Sequence, residues 1–124
     1  MRVLLSIRPE YADKIMDGSK KYEYRKALYK KEGISQIVVY STMPIGKVIG
    51  EFDVGGIIKD SPEALWKKTK KWAGIPYDFF MTYFFEKKEA IAIQVEAPRR
   101  YETPLDIKDV TGSSIPPQSF MYLV

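Results

Sequence analysis

The chain of 124 residues contains no cysteine and no histidine. Without cysteine, disulfides cannot form and thiol chemistry is excluded. Without either residue type, the usual Cys/His zinc sites and every catalytic triad that depends on histidine are excluded as well. Any catalysis would therefore have to use Lys, Asp, Glu, Tyr, Ser or Thr side chains.

Long hydrophobic runs are also missing. The apolar stretch at the N-terminus is too short for the core of a signal peptide and is interrupted by Arg8 and Pro9. No segment reaches the roughly 20 consecutive apolar residues that a membrane-spanning helix requires. We therefore expect a soluble, cytoplasmic protein with no membrane partner.

What the chain does contain is an ordinary globular composition with a basic balance. Hydrophobic residues make up 45% and charged residues 29% of the chain, which predicts a single folded domain over residues 1–124. The formal net charge is +4, and the isoelectric point is about 9.2. This balance favours an anionic partner, while the oligomeric state stays open.

Hydrophobic periodicity and turn residues predict an α+β fold. Pro9 suits the first turn of a helix that ends at Asp17, and Gly18 can adopt the left-handed conformation that terminates it. Gly55 and Gly56 permit a β-bulge or a sharp bend. Strands are predicted at residues 2–7, around Tyr22 and Tyr24, and at 34–40, 47–54, 89–97 and 119–124, with further helices from Asp60 or Ser61 to Ala73 and from about Pro76.

The C-terminal third is predicted to be mostly loop. Pro98 is expected to end its strand, and residues 99–117 to form a loop with one helical turn near residues 105–110. Five or six short strands with about three helices fit a small, mostly antiparallel β-barrel. The aromatic stripe on the helix after Pro76 is most simply interpreted as core; its members are Phe79, Phe80, Tyr83 and Phe84.

The most informative segment is the junction from Gly18 to Arg25, because it concentrates Lys20, Lys21, Glu23 and Arg25 in a few residues. In one interpretation, Lys20 lies at the rim of a cleft, Arg25 binds a phosphate through two hydrogen bonds, and the crowded lysine acts as base or nucleophile. In the other, these side chains form a solvated strand face with ion pairs. On pattern alone the second interpretation is the commoner one.

Together with residues 4–12, this junction resembles the opening of the ASCH family, a PUA-like β-barrel group associated with RNA. The family signature is a strand, a short helix ending in Gly, a basic residue, and an aromatic-x-aromatic-Arg strand. The resemblance continues in order through Gly50–Phe52, Gly74–Phe80 and Pro116–Phe120. It implies a PUA-like barrel whose cleft is lined by this junction, RNA or a nucleotide as partner, and a role in RNA metabolism or regulation.

The resemblance also implies two enzymatic alternatives. One branch consists of amidohydrolases that deacylate N4-acetylcytidine with a Lys, a Thr and a Glu; Lys20 matches the Lys, whereas the other two positions fall on Glu23 and Trp72. Another branch consists of ribonucleases with a Lys and a Tyr in the cleft, which Lys20 with Tyr22 or Tyr24 can match. Whether the protein only binds, or is a hydrolase that uses Lys20 and Glu23, stays open.

A second candidate surface is the lysine stripe, which we define as Lys67, Lys68, Lys70 and Lys71 between Trp66 and Trp72. On a helix, Lys67, Lys68 and Lys71 would share a face that can follow a phosphate backbone, and an exposed Trp72 could stack on a base. A solvated lysine face above two core tryptophans is about equally consistent with the pattern.

The remaining candidates are weaker. Glu51 and Asp53 share a strand face and could pair with Arg25 or Lys20; a metal site is conceivable, but surface ion pairing is the commoner use and no metal is expected. Gln118 and Ser119 follow two prolines, and the family resemblance favours their facing the cleft. The glycines have no nucleotide-binding spacing, so no cofactor is expected.

Overall fold

The computed structural model describes all residues from Met1 to Val124. It confirms an α+β fold of six strands and four helices. In chain order, the elements are β1 (Arg2–Ile7), α1 (Pro9–Asp17), β2 (Tyr22–Arg25), β3 (Gln36–Ser41), β4 (Lys47–Asp60), α2 (Pro62–Thr69), a 3₁₀ turn (Lys70–Trp72), α3 (Tyr77–Tyr83), β5 (Ala90–Leu105), α4 (Ile107–Thr111) and β6 (Phe120–Leu123).

The six strands form one curled sheet, a half-barrel, in the order β2-β5-β4-β3-β1-β6. Only β1 and β3 pair in parallel, and the other neighbours are antiparallel, so the expected mostly antiparallel sheet is confirmed. β2 and β6 are the two edge strands and are not hydrogen-bonded to each other. The open side of the half-barrel therefore lies between them.

The predicted helix boundaries hold where local signals are strong. Pro9 occupies the first turn of α1, and Gly18 ends it with φ of 87° while its amide donates to the Ile15 carbonyl. Ser61, rather than Asp60, caps α2 by accepting a hydrogen bond from the Ala64 amide. The helix expected to continue to Ala73 changes to a 3₁₀ turn after Thr69.

Pro98 does not end a strand, contrary to the sequence prediction, because β5 continues to Leu105. The pairing shifts between Glu51/Arg99 and Asp53/Glu96, which leaves Ala97 and Pro98 in a bulge. Ala97 adopts a left-handed φ of 46° there. A proline in a bulge needs no ladder hydrogen bond, so the strand can pass through it.

The core lies on both faces of the sheet. One apolar cluster contains Ala12 and Ile15 of α1 with buried residues of β1, β3 and β4. A second cluster joins Tyr24 of β2 to Leu65 of α2, to Phe80 of α3 and to Phe84 directly after α3. This second cluster fixes α2 and α3 against the edge strand β2. None of the helices combines the length and apolar character that a membrane-crossing helix needs.

Two glycines of β4 provide a matched test of the packing between β4 and β5. A Cβ atom on Gly50 would lie 2.4 Å from the Arg99 carbonyl oxygen, whereas one on Gly56 would meet only the Gln94 side-chain oxygen at 3.5 Å. Gly50→Ala is therefore expected to lower the free energy of unfolding by about 2–4 kcal/mol. Gly56→Ala should change it by less than about 1 kcal/mol. Urea unfolding of both variants measures the difference, and equal effects would contradict this packing.

Candidate functional site

A concave pocket of about 450 Å³ lies where β1, α1, β2 and α3 meet. Residues of the Gly18–Arg25 junction form one wall, and the aromatic side of α3 forms another. Six of its twelve lining residues are hydrophobic, and four are charged. We call it the Lys20 pocket. Its lining residues are Ser6, Ile7, Arg8, Tyr11, Lys20, Glu23, Tyr24, Arg25, Ile75, Phe79, Thr82 and Tyr83.

Lys20 is the unusual residue of this pocket, because its side chain is only 2% exposed. Its Nζ donates a 2.7 Å hydrogen bond to the Ala73 carbonyl. It also lies 4.7 Å from the centre of the Tyr24 ring and 5.8 Å from that of Tyr11. An ammonium has three N–H donors, and Ala73 is the only hydrogen-bond acceptor that the protein provides. The other two donors are free for a ligand.

Burial lowers the pKa of Lys20 from 10.5 to about 8. The negative charge of Glu23 opposes this shift, and the positive charge of Lys14 adds to it. At pH 7 about a tenth of the molecules would carry a neutral Lys20 amine. The residue can therefore donate a proton in most molecules and accept one in a minority.

The backbone of residues 72–74 is built around Lys20. The Trp72 carbonyl accepts from the Lys21 amide, the Ala73 carbonyl from Lys20 Nζ, and the Gly74 carbonyl from Lys14 Nζ. Gly74 has φ of 68°, and a Cβ atom there would lie 2.6 Å from the Lys20 Cβ and Cγ atoms. Glycine is required at this position for its conformation and for the space beside the lysine.

Arg25 and Glu23 form the opposite part of the wall. Arg25 Nη1 lies 3.0 Å from Glu23 Oε2 and 3.4 Å from the Ser6 carbonyl. Arg25 Nη2 donates to the Ser119 carbonyl and to its hydroxyl at 2.7 Å. Glu23 is 6% exposed and forms its ion pair with Arg25, not with Lys20. The guanidinium expected to bind phosphate thus already has protein partners, and it bridges the edges β2 and β6.

Aromatic side chains form the remaining walls. Tyr24 shares a 2.7 Å hydrogen bond with Thr69, and burial raises the pKa of Tyr24 to about 12. Phe79 and Tyr83 of the aromatic stripe line the pocket, and Tyr83 also packs against the second core cluster. Phe80 and Phe84 are buried, as predicted. Tyr22 packs against the Tyr24 cluster and does not line the pocket.

Arg8 is a site residue that the sequence interpretation did not identify. It is exposed at the pocket rim, with its guanidinium carbon 6.0 Å from the centre of the Phe79 ring. Arg8 takes part in none of the ion pairs. Arg8 directly precedes Pro9, at the start of a helix that faces the cleft. This position in the sequence could have indicated that Arg8 lies at the rim.

The lysine stripe lies outside the pocket. Its four lysines are exposed, but Lys68 is paired with Asp60 at 2.7 Å. Because α2 ends at Thr69, Lys71 stands on the 3₁₀ turn and does not continue a helical face with Lys67. Trp72 is 39% exposed, and Lys21 Nζ lies 4.1 Å from the centre of its ring. One Trp72 face is therefore already covered by a lysine.

Glu51 does not reach the Lys20 pocket. It forms an ion pair with Arg99 and accepts a hydrogen bond from the Tyr101 hydroxyl, and the bond from Arg99 lowers the pKa of Glu51. Asp53 is bound to the same arginine, so these carboxylates join β4 to β5 across its bulge. The chain contains no cluster of three or more acidic side chains suited to hold a metal.

The two residues expected to face the cleft after Pro117 differ in position. Ser119 contacts Arg25 at the pocket wall through its hydroxyl, although it is itself exposed. Gln118 is also exposed and does not line the pocket. The Ser119 hydroxyl and carbonyl oxygens are therefore polar groups that this segment adds to the site.

The pH dependence of stability tests the burial of Lys20. Between pH 8 and 10.5 an unfolded chain keeps the Lys20 proton and the folded protein loses it, so this residue makes the folded state more stable as pH rises. The free energy of unfolding of the wild type minus that of Lys20→Met should rise by about 1.4 kcal/mol per pH unit in this window. Tyrosine titration cancels in the difference.

Urea unfolding at several pH values measures this difference, with Lys67→Met as the matched control for the loss of one lysine. A difference between wild type and Lys20→Met that stays constant from pH 8 to 10.5 would contradict a lowered pKa in the folded protein.

Comparisons with known proteins agree with this fold. The chain is 27% identical to an ASCH domain-containing ribonuclease from Zymomonas mobilis, over 97% of this chain and 82% of the relative. It is 29% identical to part of an ATP synthase subunit alpha from Ureaplasma parvum, but spans only 15% of that protein. The crystal structure of ASCH from Zymomonas mobilis superposes with a TM-score of 0.91 at 25% identity, covering 99% of this chain and 87% of that one. Residues 5–105 match the ASCH domain, and the chain belongs to the ASCH domain family.

Proposed function

We propose that the protein binds RNA in the Lys20 pocket, as a single cytoplasmic ASCH domain spanning residues 1–124. The observation that carries this proposal is a buried ammonium with two free donors at the floor of a pocket walled by aromatic rings. The Zymomonas mobilis relative is named as a ribonuclease, and the match covers 97% of the present chain. This name supports the same class of ligand.

The shape and chemistry of the pocket suit a nucleotide unit of a single strand. A volume of about 450 Å³ can hold a base and part of its sugar. Tyr11, Phe79 and Tyr83 offer ring faces for stacking, which tolerates any base sequence. Lys20 donates from the floor, and Arg8 supplies a guanidinium at the rim for a phosphate. The lysine stripe adds attraction for phosphates without reading sequence.

Arg8 and Lys70 provide a matched pair, since each variant removes one exposed cation. Arg8→Ala should weaken the binding of a dinucleotide by roughly tenfold and lower the salt slope of log K by about 0.7, because one phosphate contact is lost. Lys70→Ala should have a much smaller effect. Fluorescence anisotropy at several salt concentrations measures both. Equal effects of the two variants, or binding that does not depend on salt, would contradict a phosphate at the rim.

RNA cleavage is the second candidate function, and the pKa of Lys20 near 8 is the observation that favours it. In this reaction the ribose 2′-oxygen forms a bond to phosphorus, and the bond from phosphorus to the 5′-oxygen breaks. Glu23, the one carboxylate lining the pocket, would accept the 2′-hydroxyl proton, and the Lys20 ammonium would give its proton to the leaving 5′-oxygen. Atoms and charge balance without a further reactant.

Lys20→Met should lower the cleavage rate by about 10²–10⁴, the usual contribution of a general acid, while dinucleotide binding stays measurable. The wild-type rate should fall as pH rises past about 8, because the donor is lost. Gel assays of a short RNA measure the rate, with a substrate lacking the 2′-hydroxyl at the cleavage position as control. Undiminished turnover by Lys20→Met would remove Lys20 from the mechanism, and binding without turnover by the wild type would leave a binding protein.

Deacylation of N4-acetylcytidine has less support. Of the three family positions, Lys20 matches, whereas Glu23 stands in place of the Thr and Trp72 in place of the Glu. Trp72 lies outside the pocket and carries no carboxylate. A panel of acylated nucleosides assayed with wild type and Lys20→Met tests this activity directly.

A further inference from the structure

We infer that a second cleft beside the Lys20 pocket binds the continuation of the same RNA strand; this inference rests on the proposed function. The second cleft has a volume of about 650 Å³ and lies between the segment after β2 and the strands β4 and β5. Nothing in the sequence pattern singled out this cleft, because Lys59 on β4 is distant in the chain from Lys26, Lys30 and Lys31.

The second cleft combines an apolar floor with a basic rim. Leu28, Ile34, Val54 and Ile57 contribute to the floor. Four exposed lysines stand on the rim against two glutamates, Glu32 and Glu89. None of the four lysines forms an ion pair with a carboxylate, so all four charges are available to an anion. These rim lysines are Lys26, Lys30, Lys31 and Lys59.

The two clefts meet at consecutive residues of the chain. Arg25 lines the Lys20 pocket, and Lys26 lines the second cleft. Lys26 Nζ lies 4.6 Å from the centre of the Tyr83 ring, which belongs to the first pocket. A strand with one nucleotide in the Lys20 pocket therefore meets a further cation as it leaves past Tyr83. This continuity favours RNA over an acidic peptide as the occupant.

The segment that carries the lysines is held in place by β6. The Tyr122 hydroxyl accepts hydrogen bonds from the Lys30 amide at 2.8 Å and the Lys31 amide at 3.1 Å. Lys31 Nζ lies 4.8 Å from the centre of the Tyr122 ring. Tyr29, directly before Lys30, is buried, with its ring 6.3 Å from that of Phe120. The cations are thus presented by an ordered backbone, which lowers the entropic cost of binding a strand.

Binding of a dinucleotide and a decanucleotide, measured by anisotropy over a range of salt concentrations, tests the inference. The wild type should bind the decanucleotide more tightly. Lys30→Glu with Lys59→Glu should remove most of that gain and lower the salt slope for the decanucleotide by about 1.4, as expected for two phosphate contacts. Dinucleotide binding should change much less. Lys87→Glu with Lys108→Glu is the control, since it makes the same change of net charge at exposed positions outside both clefts and outside the lysine stripe.

A second variant separates position from charge. Tyr122→Phe removes the hydroxyl that accepts from Lys30 and Lys31 but leaves every cation in place. It should lower the ratio of decanucleotide affinity to dinucleotide affinity by roughly threefold without changing dinucleotide binding.

The outcomes distinguish this inference from the proposed function. Suppose that dinucleotide binding depends on Arg8, but that the cleft and control variants lose the same share of the extra affinity for the decanucleotide. This result would overturn RNA binding in the second cleft and leave the proposed function standing. If neither the dinucleotide nor the decanucleotide binds, both this inference and the proposed function are overturned. Equal binding of a polyglutamate peptide in the second cleft would replace RNA by an acidic protein segment as its ligand.

Discussion

The hydrogen bond from the Lys20 ammonium to the Ala73 carbonyl is the interaction on which the candidate site depends. Burial of a charged amine costs several kcal/mol unless nearby groups compensate it. Here a carbonyl, two aromatic faces and the negative field of Glu23 do so, but only in part, because burial still lowers the pKa of Lys20. The incomplete compensation leaves the ammonium with donors that a ligand can satisfy.

The same lysine determines the backbone around it. Its stem occupies the space in which residue 74 would carry a Cβ atom, and its head binds the carbonyl of residue 73. Since the carbonyls of residues 72 and 74 are bound from the α1 side as well, the 3₁₀ turn is attached to the end of α1. This attachment and the aromatic cluster of α3 fix two walls of the pocket, so little reorganisation would be needed when a ligand enters.

Local signals predicted the elements, and long-range contacts decided what the sequence could not. β1 and α1 were predicted to the residue because Pro9 and Gly18 mark the helix ends. The prediction that Pro98 ends its strand was wrong, because the bulge that accommodates this proline depends on the pairing of β5 with β4. Lys20 and Glu23, predicted at a cleft edge, line the concave pocket. One partner of Arg25, Ser119, lies 94 positions away in the chain. Arg8 meets Phe79, and Lys59 meets the other rim lysines of the second cleft, only when the half-barrel forms.

Because one side of the half-barrel is open, buried and exposed charged groups lie next to each other at the site. The strength of RNA binding and the selection among ligands can therefore depend on different side chains. A fully closed barrel would use the edges of β2 and β6 for pairing, whereas here Arg25 joins them through side-chain bonds and leaves room for the pocket. Inside, Lys20, Glu23 and Arg25 are buried or half-buried, so their directions are fixed and their interactions are strong. Outside, Arg8 and the rim lysines are exposed and act mainly through charge, which salt screens. Variants of the exposed cations should therefore change how tightly an anionic strand is held, whereas variants of the buried group should change which chemical groups are accepted.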